Sequence, residues 1–324
     1  MRYDVVALGE TLIDFTPAGR SASGMRLFEQ NPGGAPANVL AALAKLGKKT
    51  AFIGKVGRDM HGDFLLETLQ NAQIDTRGVM QTDEAFTTLA FVSLTESGER
   101  DFSFARKPGA DTLLCDADLD MELLQNTNIF HVGSLSLTDE PARSATFSAI
   151  RAAKAAGAVL SYDPNYRALL WPDVQTAIDH MRSMLPLTDV MKLSDNECEL
   201  LTGLADPAQA AKHLVAGGIP LVVVTLGAEG ALVCTKDGVK TVPGFVCETV
   251  ADTTGAGDAF WGAFLSMLSE CGKYPVEITL PVEITLDEAA DFARFACAAA
   301  SLCVEKRGAI PAMPTLQAVM ERLR

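Results

Sequence analysis

Residues 37–57, ANVLAALAKLGKKTAFIGKVG, decide the fold class of this chain. Their first half carries apolar residues at helical spacing and ends at Gly47, where a glycine commonly closes a helix. Their second half, TAFIGKVG, has the apolar and β-branched character of a strand. Because YDVVALGE near the start of the chain is also strand-like, the pattern up to Gly57 is β, α, β.

The same alternation runs through the rest of the chain. Helical spacing recurs at 61–73 and 141–157. Strand-like runs recur at 128–137, 158–165, 189–195, 220–227 and 230–238. Continuous apolar runs of this kind fill strands that are buried on both faces. We therefore predict a single α/β domain over residues 1–324, with a mainly parallel sheet flanked by helices on both faces. Such sheets bind ligands beyond the carboxyl ends of their strands.

Two segments depart from this alternation. Residues 11–36 and 85–106 alternate apolar and polar residues with a period of two, which predicts antiparallel strands. We expect them to form a small β-sheet that projects from the main domain as a lid. A direct duplication, PVEITLPVEITL at 275–286, is interpreted as an expanded surface loop, because one pair of copies cannot build a repeat architecture.

The composition argues against several classes of partner. With 27 Lys+Arg against 41 Asp+Glu, the formal net charge is −14, which repels nucleic acid and anionic membrane surfaces. No window approaches the roughly 18 uninterrupted apolar residues of a membrane span. We therefore expect neither partner, and an anionic ligand has to be held by local groups such as backbone N–H groups or a few focused cations.

The cysteines and histidines indicate a reducing compartment and no structural zinc. The seven cysteines are scattered without a CxxC pair, and no two of the four histidines stand four residues apart. The N-terminal MRYDVVALGE lacks the apolar core of a signal peptide. We expect a cytoplasmic protein.

Residues 251–265, ADTTGAGDAFWGAFL, place small residues directly before an amphipathic apolar run. This pattern predicts a turn at Gly255, Ala256 and Gly257, followed by a helix from Asp258 to Leu268. The first N–H groups of a helix attract an anion, yet the Asp258 carboxylate would repel a permanently bound phosphate. The combination suits a transient anion: the carboxylate takes a proton from a hydroxyl group while the N–H groups stabilise the phosphoryl group in transfer.

A second interpretation of these residues stays open, in which Asp258 merely complements the helix dipole. The sequence does not match the motifs of two other well-known phosphate-binding loops. The chain contains no GxxxxGK[ST] motif, and Phe260 stands where a dinucleotide-binding GxGxxG motif needs its third glycine.

Two distant segments together resemble the signatures of one enzyme family. DTTGAGDAFWGAFL is similar to the C-terminal signature of the ribokinase-like (phosphofructokinase-B type) sugar kinases, and PGGAPANVLAALAKLG with FIGKVGRDMHG is similar to their N-terminal signature. Within that family the chain resembles the fructokinases most, in ALGETLIDF, GGAPANV, FARKPGAD, DPNYRALLW, KLSDNE and EKRGAIPAMPT, in that order. The resemblance covers nearly the whole chain apart from the duplication.

The resemblance implies roles for residues that match the family's motifs. It implies that Asp258 is the catalytic base and that the anion hole is formed by Gly255, Ala256 and Gly257. It implies that the sugar is bound by Asp14, Gly33, Gly34 and Asn38, with Arg106 as the lid cation that closes over it. Carboxylate, amide and close backbone approach suit a neutral polyol. The residues also have ordinary alternatives: a turn former for Asp14, a helix N-terminal residue for Asn38 and a solvated strand arginine for Arg106.

The resemblance also implies a nucleotide end. ATP is implied to contact residues in three strand-end segments, namely Asn165, Arg167, Lys192, Ser194, Thr225 and Gly227. Glu197 is implied to organise Mg²⁺ through water. Ser194 departs from much of the family, which has Asn there, but not from the fructokinases. A surface cation at Arg167 and a plain turn at Thr225 and Gly227 are the alternatives.

A K⁺ site beside the anion hole is a further implication of the resemblance. In the family a loop between the DTT and RGA segments often holds this ion, and Asp252, Thr254 and Gly308 match those positions. Ala312 stands near the place where many relatives supply a hydroxyl group. Asp252 as a simple acceptor for backbone N–H groups is the alternative.

The function expected from these features is an ATP-dependent sugar kinase that converts D-fructose to fructose 6-phosphate. A 2-keto-3-deoxygluconate kinase or a ribokinase is the alternative within the fold, and an acidic substrate would call for an additional cation at the sugar end. A non-catalytic sensor of sugar and nucleotide is the alternative from another class. A dehydrogenase lacks its dinucleotide motif here. A homodimer formed through the lid is also expected.

Overall fold

The β-α-β unit predicted from residues 37–57 is present in the computed structural model, which describes residues 2–94, 100–270 and 284–324. Within these ranges the strands are Tyr3–Leu8 (β1), Leu12–Arg20 (β2), Arg26–Gly33 (β3), Thr50–Gly57 (β4), Ile74–Thr82 (β5), Leu89–Leu94 (β6), Arg100–Ala105 (β7), Thr127–Val132 (β8), Val159–Tyr162 (β9), Val190–Ser194 (β10), Leu221–Thr225 (β11), Gly230–Thr235 (β12) and Gly238–Pro243 (β13). The helices are Ala35–Lys45 (α1), Met60–Asn71 (α2), Met121–Gln125 (α3), Ala142–Ala155 (α4), Val174–Ser183 (α5), Asp195–Thr202 (α6), Pro207–Ala216 (α7), Ala256–Glu270 (α8), Leu286–Cys303 (α9) and Leu316–Arg322 (α10).

The large sheet has the strand order β13-β12-β11-β10-β9-β8-β1-β4-β5. All neighbouring strands from β11 to β5 pair in parallel, and β12 and β13 add an antiparallel edge. The central β1 pairs Val6 with Ala51 on one side and with Phe130 on the other. The predicted mainly parallel sheet is confirmed.

Helices cover both faces of the large sheet, because its central strands are apolar on both sides. On one face, α1, α8 and α9 bury a core that includes Trp261 and Phe264, which are fully buried. Gly262 lets α8 approach α1 closely, since a Cβ atom at this position would lie 2.6 Å from the Cβ atom of Ala42. On the other face, α3 to α7 enclose a second core around Tyr162 and Phe130.

The predicted small sheet is also present, with the order β3-β2-β6-β7. Each of its two hairpins is antiparallel, as expected, and a parallel pairing of β2 with β6 joins them. Residues 95–99 of the predicted segment 85–106 lie outside the described residues. Among the residues described, no helix is both long and apolar enough to cross a membrane.

The duplicated segment lies outside the described residues from 275 to 283. The end of its second copy is described and begins α9. Thr285 is the N-cap residue and forms a reciprocal capping box with Glu288: Thr285 N donates to Glu288 Oε2 over 3.0 Å, and Glu288 N donates to Thr285 Oγ1 over 3.3 Å. At least this end of the duplication therefore has a structural role in starting a helix.

Candidate active site

A cavity of about 530 Å³ lies between the small sheet and the carboxyl ends of the strands in the large sheet. Its walls come from β2 and β3, the first turns of α1 and α8, and the loops after β1, β8 and β9. It is the expected position for a ligand site in a parallel α/β sheet.

The small sheet turns one face toward this cavity. Leu12, Asp14 and Thr16 of β2 line it, and so do Glu29 and Asn31 of β3. Their spacing of two residues is the alternation of a strand, which sends successive side chains to opposite faces. The residues between them, such as Phe15, therefore belong to the outer face.

The glycine turn forms one wall of the cavity, and α8 begins earlier than predicted. The helix starts at Ala256 rather than Asp258, so Ala256 and Gly257 belong to its first turn and only Gly255, with φ of 77°, is left-handed. A Cβ atom on Gly255 would lie 2.7 Å from that of Ala309. Glycine is thus required there both by conformation and by space. The first N–H groups of α8, which lack partners inside the helix, lie at this wall.

Asp258 lies in that first turn, lines the cavity and is 8% exposed. Its Oδ2 accepts a hydrogen bond of 2.8 Å from Asn38 Nδ2 on α1. Burial raises the pKa of Asp258, and the positive charge of Lys192 and the Asn38 hydrogen bond oppose this rise. A carboxylate with a raised pKa is a better proton acceptor than an exposed one.

A buried ion pair lies beside Asp258. Lys192 Nζ is 2.8 Å from Asp163 Oδ2, and both side chains are less than a tenth exposed. Burial alone would lower the pKa of Lys192, but the carboxylates of Asp163, Glu197 and Asp258 raise it overall. Gly257 faces this ammonium group, since a Cβ atom there would lie 3.2 Å from Lys192 Nζ. The lysine therefore places a positive charge at the glycine turn.

The four positions assigned to sugar binding meet at one end of the cavity. Asp14, Gly34 and Asn38 line it, and Gly33 lies against the carboxylate of Asp14 closely enough that any Cβ atom would overlap it. Gly34 has φ of 106° and precedes α1, where a side chain would collide with the backbone of Glu10. Asn38 Oδ1 is buried and has no hydrogen-bond partner among the described residues. Gly33 and Gly34 thus allow the backbone to pack tightly at this end of the cavity.

Arg106 lies at the base of the small sheet, directly after β7, and is not among the residues that line the cavity. Its guanidinium group is buried and makes an ion pair of 2.7 Å with Asp111. It also donates to Thr138 Oγ1 over 2.8 Å and to the carbonyl oxygen of Leu135 over 2.9 Å. The structure thus gives Arg106 protein partners, and its closing over a sugar stays a prediction.

Two of the positions assigned to the nucleotide follow β9. Asn165 and Arg167 line the cavity, and Asn165 has a left-handed φ of 46°. Arg167 is exposed, and its charge is close enough to lower the pKa of Asp258 in opposition to burial. A cation at this place is suited to a phosphate group.

Lys192 of β10, also assigned to the nucleotide, lines the cavity, whereas Ser194, Thr225 and Gly227 lie at the carboxyl ends of β10 and β11 outside the cavity lining. Glu197 caps α6: its Oε2 accepts from Ser194 N over 2.8 Å and from Ser194 Oγ over 2.9 Å. Its Oε1 accepts from Tyr166 N over 2.7 Å, which ties the loop after β9 to this helix. Thr225 ends β11, and Gly227 has a left-handed φ of 58°. Their contact with a nucleotide stays a prediction.

The residues assigned to K⁺ lie together in the structure, and their binding of this ion stays a prediction. Asp252 Oδ1 accepts from Thr254 N over 2.9 Å and from Thr254 Oγ1 over 2.7 Å. Its Oδ2 accepts from Gly308 N over 3.1 Å. Asp252 thus joins the segment before α8 to the segment after α9, whether or not a cation is present.

The site residues that sequence reasoning missed include Glu10, Asn31, Asp163 and Arg307. Glu10 is buried and lines the cavity together with Asn31 and Arg307. Glu10 directly follows β1 and Asp163 directly follows β9. Their places at the carboxyl ends of central strands are the signal that could have found them.

The cavity wall carries charges of both signs. Glu10 lines it together with Asp14 and Glu29 of the small sheet, and so do the cations Arg167, Lys192 and Arg307 and the carboxylates of Asp252 and Asp258. Such a site can hold both a group rich in hydroxyls and an anionic group. Asp258 and the N-terminus of α8 lie where a proton acceptor and an anion hole would serve a transferred phosphoryl group.

Comparison with known proteins agrees with this chemistry. The family model described as pfkB family carbohydrate kinase matches residues 2–316. The chain is 45% identical over 315 residues to fructokinase-2 of Zea mays, covering 96% of this chain and 91% of that protein. A fructokinase from Xylella fastidiosa with bound ATP superposes with a TM-score of 0.87 at 35% identity, covering 100% of this chain and 98% of that one. A double mutant of the fructokinase from Vibrio cholerae O395, in a form with fructose, ADP and potassium ion bound, gives a TM-score of 0.86 at 34% identity, with 100% and 99% covered. This chain belongs to the pfkB family of carbohydrate kinases.

Proposed function

We propose that this protein is a fructokinase, which transfers the γ-phosphoryl group of ATP to the O6 hydroxyl group of D-fructose. The relatives named fructokinase, which align over nearly the whole chain, support this assignment. The observation that carries it is the buried carboxylate of Asp258, held by Asn38 at the N-terminus of α8 in the wall of the cavity.

In the proposed reaction Asp258 accepts the proton of the O6 hydroxyl group as that oxygen attacks the γ-phosphorus. The bond from the γ-phosphorus to the bridging oxygen breaks, and ADP leaves. The N–H groups at the start of α8 and the ammonium group of Lys192 would stabilise the charge on the transferred group. Arg167, which lines the cavity, would contact the nucleotide phosphates.

The charges at the sugar end favour a neutral sugar over an acidic one. The carboxylates of Glu10, Asp14 and Glu29 line this end and would repel a carboxylate on the substrate. Arg106, the cation at this end that the sequence singled out, is paired with Asp111. These features support fructose rather than 2-keto-3-deoxygluconate, while ribose is separated only by the assay described below.

Mg²⁺ fits the nucleotide end of the site. Asp163 Oδ1 is buried and has no hydrogen-bond partner among the described residues, and a carboxylate oxygen is a preferred ligand of this ion. Both oxygens of Glu197 accept hydrogen bonds from the protein, so we assign this residue a role through water and through the order of the loop after β9. The ion would neutralise the charge of the β- and γ-phosphates.

The test of this function is a coupled assay of ADP release over fructose, ribose, glucose, tagatose and 2-keto-3-deoxygluconate, with and without Mg²⁺. We expect fructose to give the highest kcat/KM and the omission of Mg²⁺ to abolish turnover. A higher value for another sugar would replace fructose in the assignment. Absence of ADP release with every sugar would favour the non-catalytic sensor.

We predict activation by K⁺ through the loop that joins Asp252 to Gly308. A monovalent cation held by carbonyl oxygens and this carboxylate would fix the turn at Gly255 and support its N–H groups. The measurement is the initial rate in tetramethylammonium buffer, with K⁺ added back at constant ionic strength. We expect a several-fold rise that Asp252→Ala abolishes. A flat response of the unmodified protein would exclude the site.

We propose that the small sheet acts as a lid over the sugar. Its inner face supplies Asp14 and Asn31 to the cavity, and phosphoryl transfer requires the exclusion of water. Hydrogen exchange with and without fructose is expected to show slower exchange in β2 and β3 when the sugar is bound. The edge strands β12 and β13 serve as the internal control. Equal protection of β2 and β3 in both states would contradict the lid.

We propose that the outer face of the small sheet joins two copies of the chain. Phe28 and Phe91 meet edge to face with their ring centroids 6.2 Å apart, yet they remain 44% and 38% exposed, and Met25 is 68% exposed. A cluster of this kind is typical of an interface. We expect the protein to sediment as a dimer and Phe28→Asp to yield monomers. Met320→Asp, at an exposed apolar position on α10, is the matched control, and a monomeric unmodified protein would refute the proposal.

We also assign the protein to the cytosol. Cys198, Cys234, Cys297 and Cys303 are buried free thiols, which a reducing compartment preserves. Cell fractionation checks this assignment, and recovery of the protein in an oxidising or organellar fraction would contradict it.

A further inference from the structure

Glu10 is a buried acid with an unused oxygen in the wall of the cavity. It directly follows β1, is 3% exposed and lines the cavity beside Gly34 and Asn38. Its Oε1 accepts a hydrogen bond of 2.9 Å from Ala35 N, the first residue of α1. Its Oε2 is buried and has no hydrogen-bond partner among the described residues. A buried polar atom without a partner is rare in proteins and calls for a ligand or an ordered water molecule.

The nearest cation does not satisfy this oxygen. Arg106 is close enough that Glu10 and Arg106 influence each other's pKa. The guanidinium N–H groups of Arg106, however, donate to Asp111, Thr138 and the Leu135 carbonyl oxygen. The ion pair at the base of the small sheet is thus complete without Glu10, whose second oxygen remains available.

The hydrogen bond between Glu10 and the start of α1 relates Glu10 to the reacting end of the site. Glu10 bonds the N–H group of Ala35, and Asn38, three residues further along α1, donates to Asp258. Residues three apart lie on one helix face, one turn or roughly 5 Å apart. Glu10 and Asp258 therefore contact residues one turn apart at the start of α1, Glu10 through Ala35 N and Asp258 through Asn38 Nδ2.

We propose that Glu10 is a specificity-determining residue whose Oε2 accepts a hydrogen bond from a sugar hydroxyl group other than the one that is phosphorylated. This inference rests on the proposed sugar kinase function and adds a contact to it. A carboxylate is an acceptor only, so it selects for a hydroxyl group at one position and rejects an analogue in which that group is missing or is itself a carboxylate. Oε1 stays bound to α1, which fixes the orientation of the carboxyl group.

The ionisation of Glu10 gives this contact a pH dependence. Burial raises the pKa of Glu10 to about 7, with the negative charge of Asp111 adding to the rise and the Ala35 N–H group and Arg106 opposing it. Because the proposed contact needs the ionised form, sugar binding favours proton release and strengthens as the pH rises through about 7. We therefore expect KM for the sugar to fall by up to about tenfold from pH 6 to pH 8, as the ionised fraction increases.

The experiment compares the full-length protein with Glu10→Gln, which keeps an oxygen for Ala35 N and removes the charge. Glu67→Gln is the matched control, because Glu67 is exposed on α2 and does not line the cavity. We expect Glu10→Gln to raise KM for fructose about 10- to 100-fold, as for loss of a hydrogen bond to a charged group, with KM for ATP unchanged. The dependence of the sugar KM on pH should disappear in this variant only.

Fructose analogues that each lack one hydroxyl group locate the contact. The unmodified protein should bind one analogue poorly, and Glu10→Gln should not discriminate against that same analogue. An unchanged sugar KM in Glu10→Gln, or a lower melting temperature with unchanged KM, would indicate a water molecule or a purely structural role and would overturn the proposal. If Glu10→Gln does not fold, Glu10→Asp, which shortens the reach of the carboxylate and keeps its charge, is measured in the same way.

The assay separates this inference from the proposed function. If the unmodified protein prefers another sugar, the comparison is made with that sugar, and only the identity of the substrate changes. If it acts on no sugar at all, the proposed function fails and the inference fails with it. If it acts on fructose and Glu10→Gln has an unchanged KM, the function stands and the inference alone fails.

Discussion

Asp258→Asn is expected to lower kcat by about 10²- to 10⁴-fold, the usual contribution of a general base. The amide keeps the size of the side chain and an oxygen that can accept from Asn38 Nδ2, but it cannot take the proton of the sugar hydroxyl group. The affinities for sugar and nucleotide should therefore change little. Steady-state kinetics over a range of both substrates give kcat and the two KM values separately.

This variant also decides between the two interpretations of the glycine turn. If Asp258 only complemented the dipole of α8, its replacement would cost at most about 1 kcal/mol of stability and leave kcat nearly unchanged. Asp195→Asn is the matched control, because Asp195 is an exposed acid in the first turn of α6. If the kcat of Asp258→Asn equals that of the unmodified protein, Asp258 is not the catalytic base.

The pH profile provides a second check on the base. Burial raises the pKa of Asp258, so protonation removes the base at a higher pH than for an exposed aspartate. We expect kcat to fall as the pH is lowered through this pKa and the fall to be absent from the residual rate of Asp258→Asn. If kcat falls in the same way at low pH in the unmodified protein and in Asp258→Asn, the group that titrates is not Asp258.

The fold was predictable from the sequence because its rules are local. Strands buried on both faces need continuous apolar runs, such as 220–227, and several helices between them, such as α1 and α4, end near a glycine. The period of two in 11–36 likewise predicted the small sheet. The parallel pairing of β2 with β6 was not predictable, because alternation is the same in a strand with parallel or antiparallel neighbours.

The start of α8 shows the limit of local patterns. Glycine is a poor helix former, so Gly257 favoured a turn over a helix. In the structure Gly257 belongs to the first turn, where a Cβ atom would lie 3.2 Å from Lys192 Nζ, so that a side chain would crowd this ammonium group. Helix boundaries depend on such tertiary contacts and are uncertain by one or two residues in any case.

The contacts of the site depend on residues that are far apart in the chain. Asp258 and Asn38 are separated by 220 positions, and no periodicity relates them. The resemblance to the family implied a role for each of them, but the hydrogen bond between them was not predicted. Glu10 was missed because its burial and its free oxygen follow from the packing of α1 against the end of β1, which the sequence does not display.

Lys192→Met is expected to have the second largest effect, on stability as well as on catalysis. It leaves the carboxylate of Asp163 buried without the ammonium group 2.8 Å away, and breaking a buried pair in this way costs about 3–5 kcal/mol. It also removes the positive charge beside the glycine turn, so we expect kcat to fall by at least about 100-fold, as for loss of one transition-state donor. Chemical denaturation and steady-state kinetics measure the two effects.

Two further variants separate the structural contribution of Lys192 from the catalytic one. Lys154→Met breaks the ion pair with Asp189, which is also 2.8 Å long but is more exposed and lies outside the cavity lining, so it should lower stability less and leave kcat unchanged. Adding Asp163→Asn to Lys192→Met removes the orphaned charge and should restore most of the stability, because an uncompensated buried carboxylate is the main cost. If the double variant also regains kcat, Lys192 acts only as the counterion of Asp163. Because Asp163 is also proposed to hold Mg²⁺, Asp163→Asn alone is measured beside the double variant. If the double variant regains stability and is much slower than Asp163→Asn alone, the ammonium group itself serves the phosphoryl group, as its place beside Gly257 predicts.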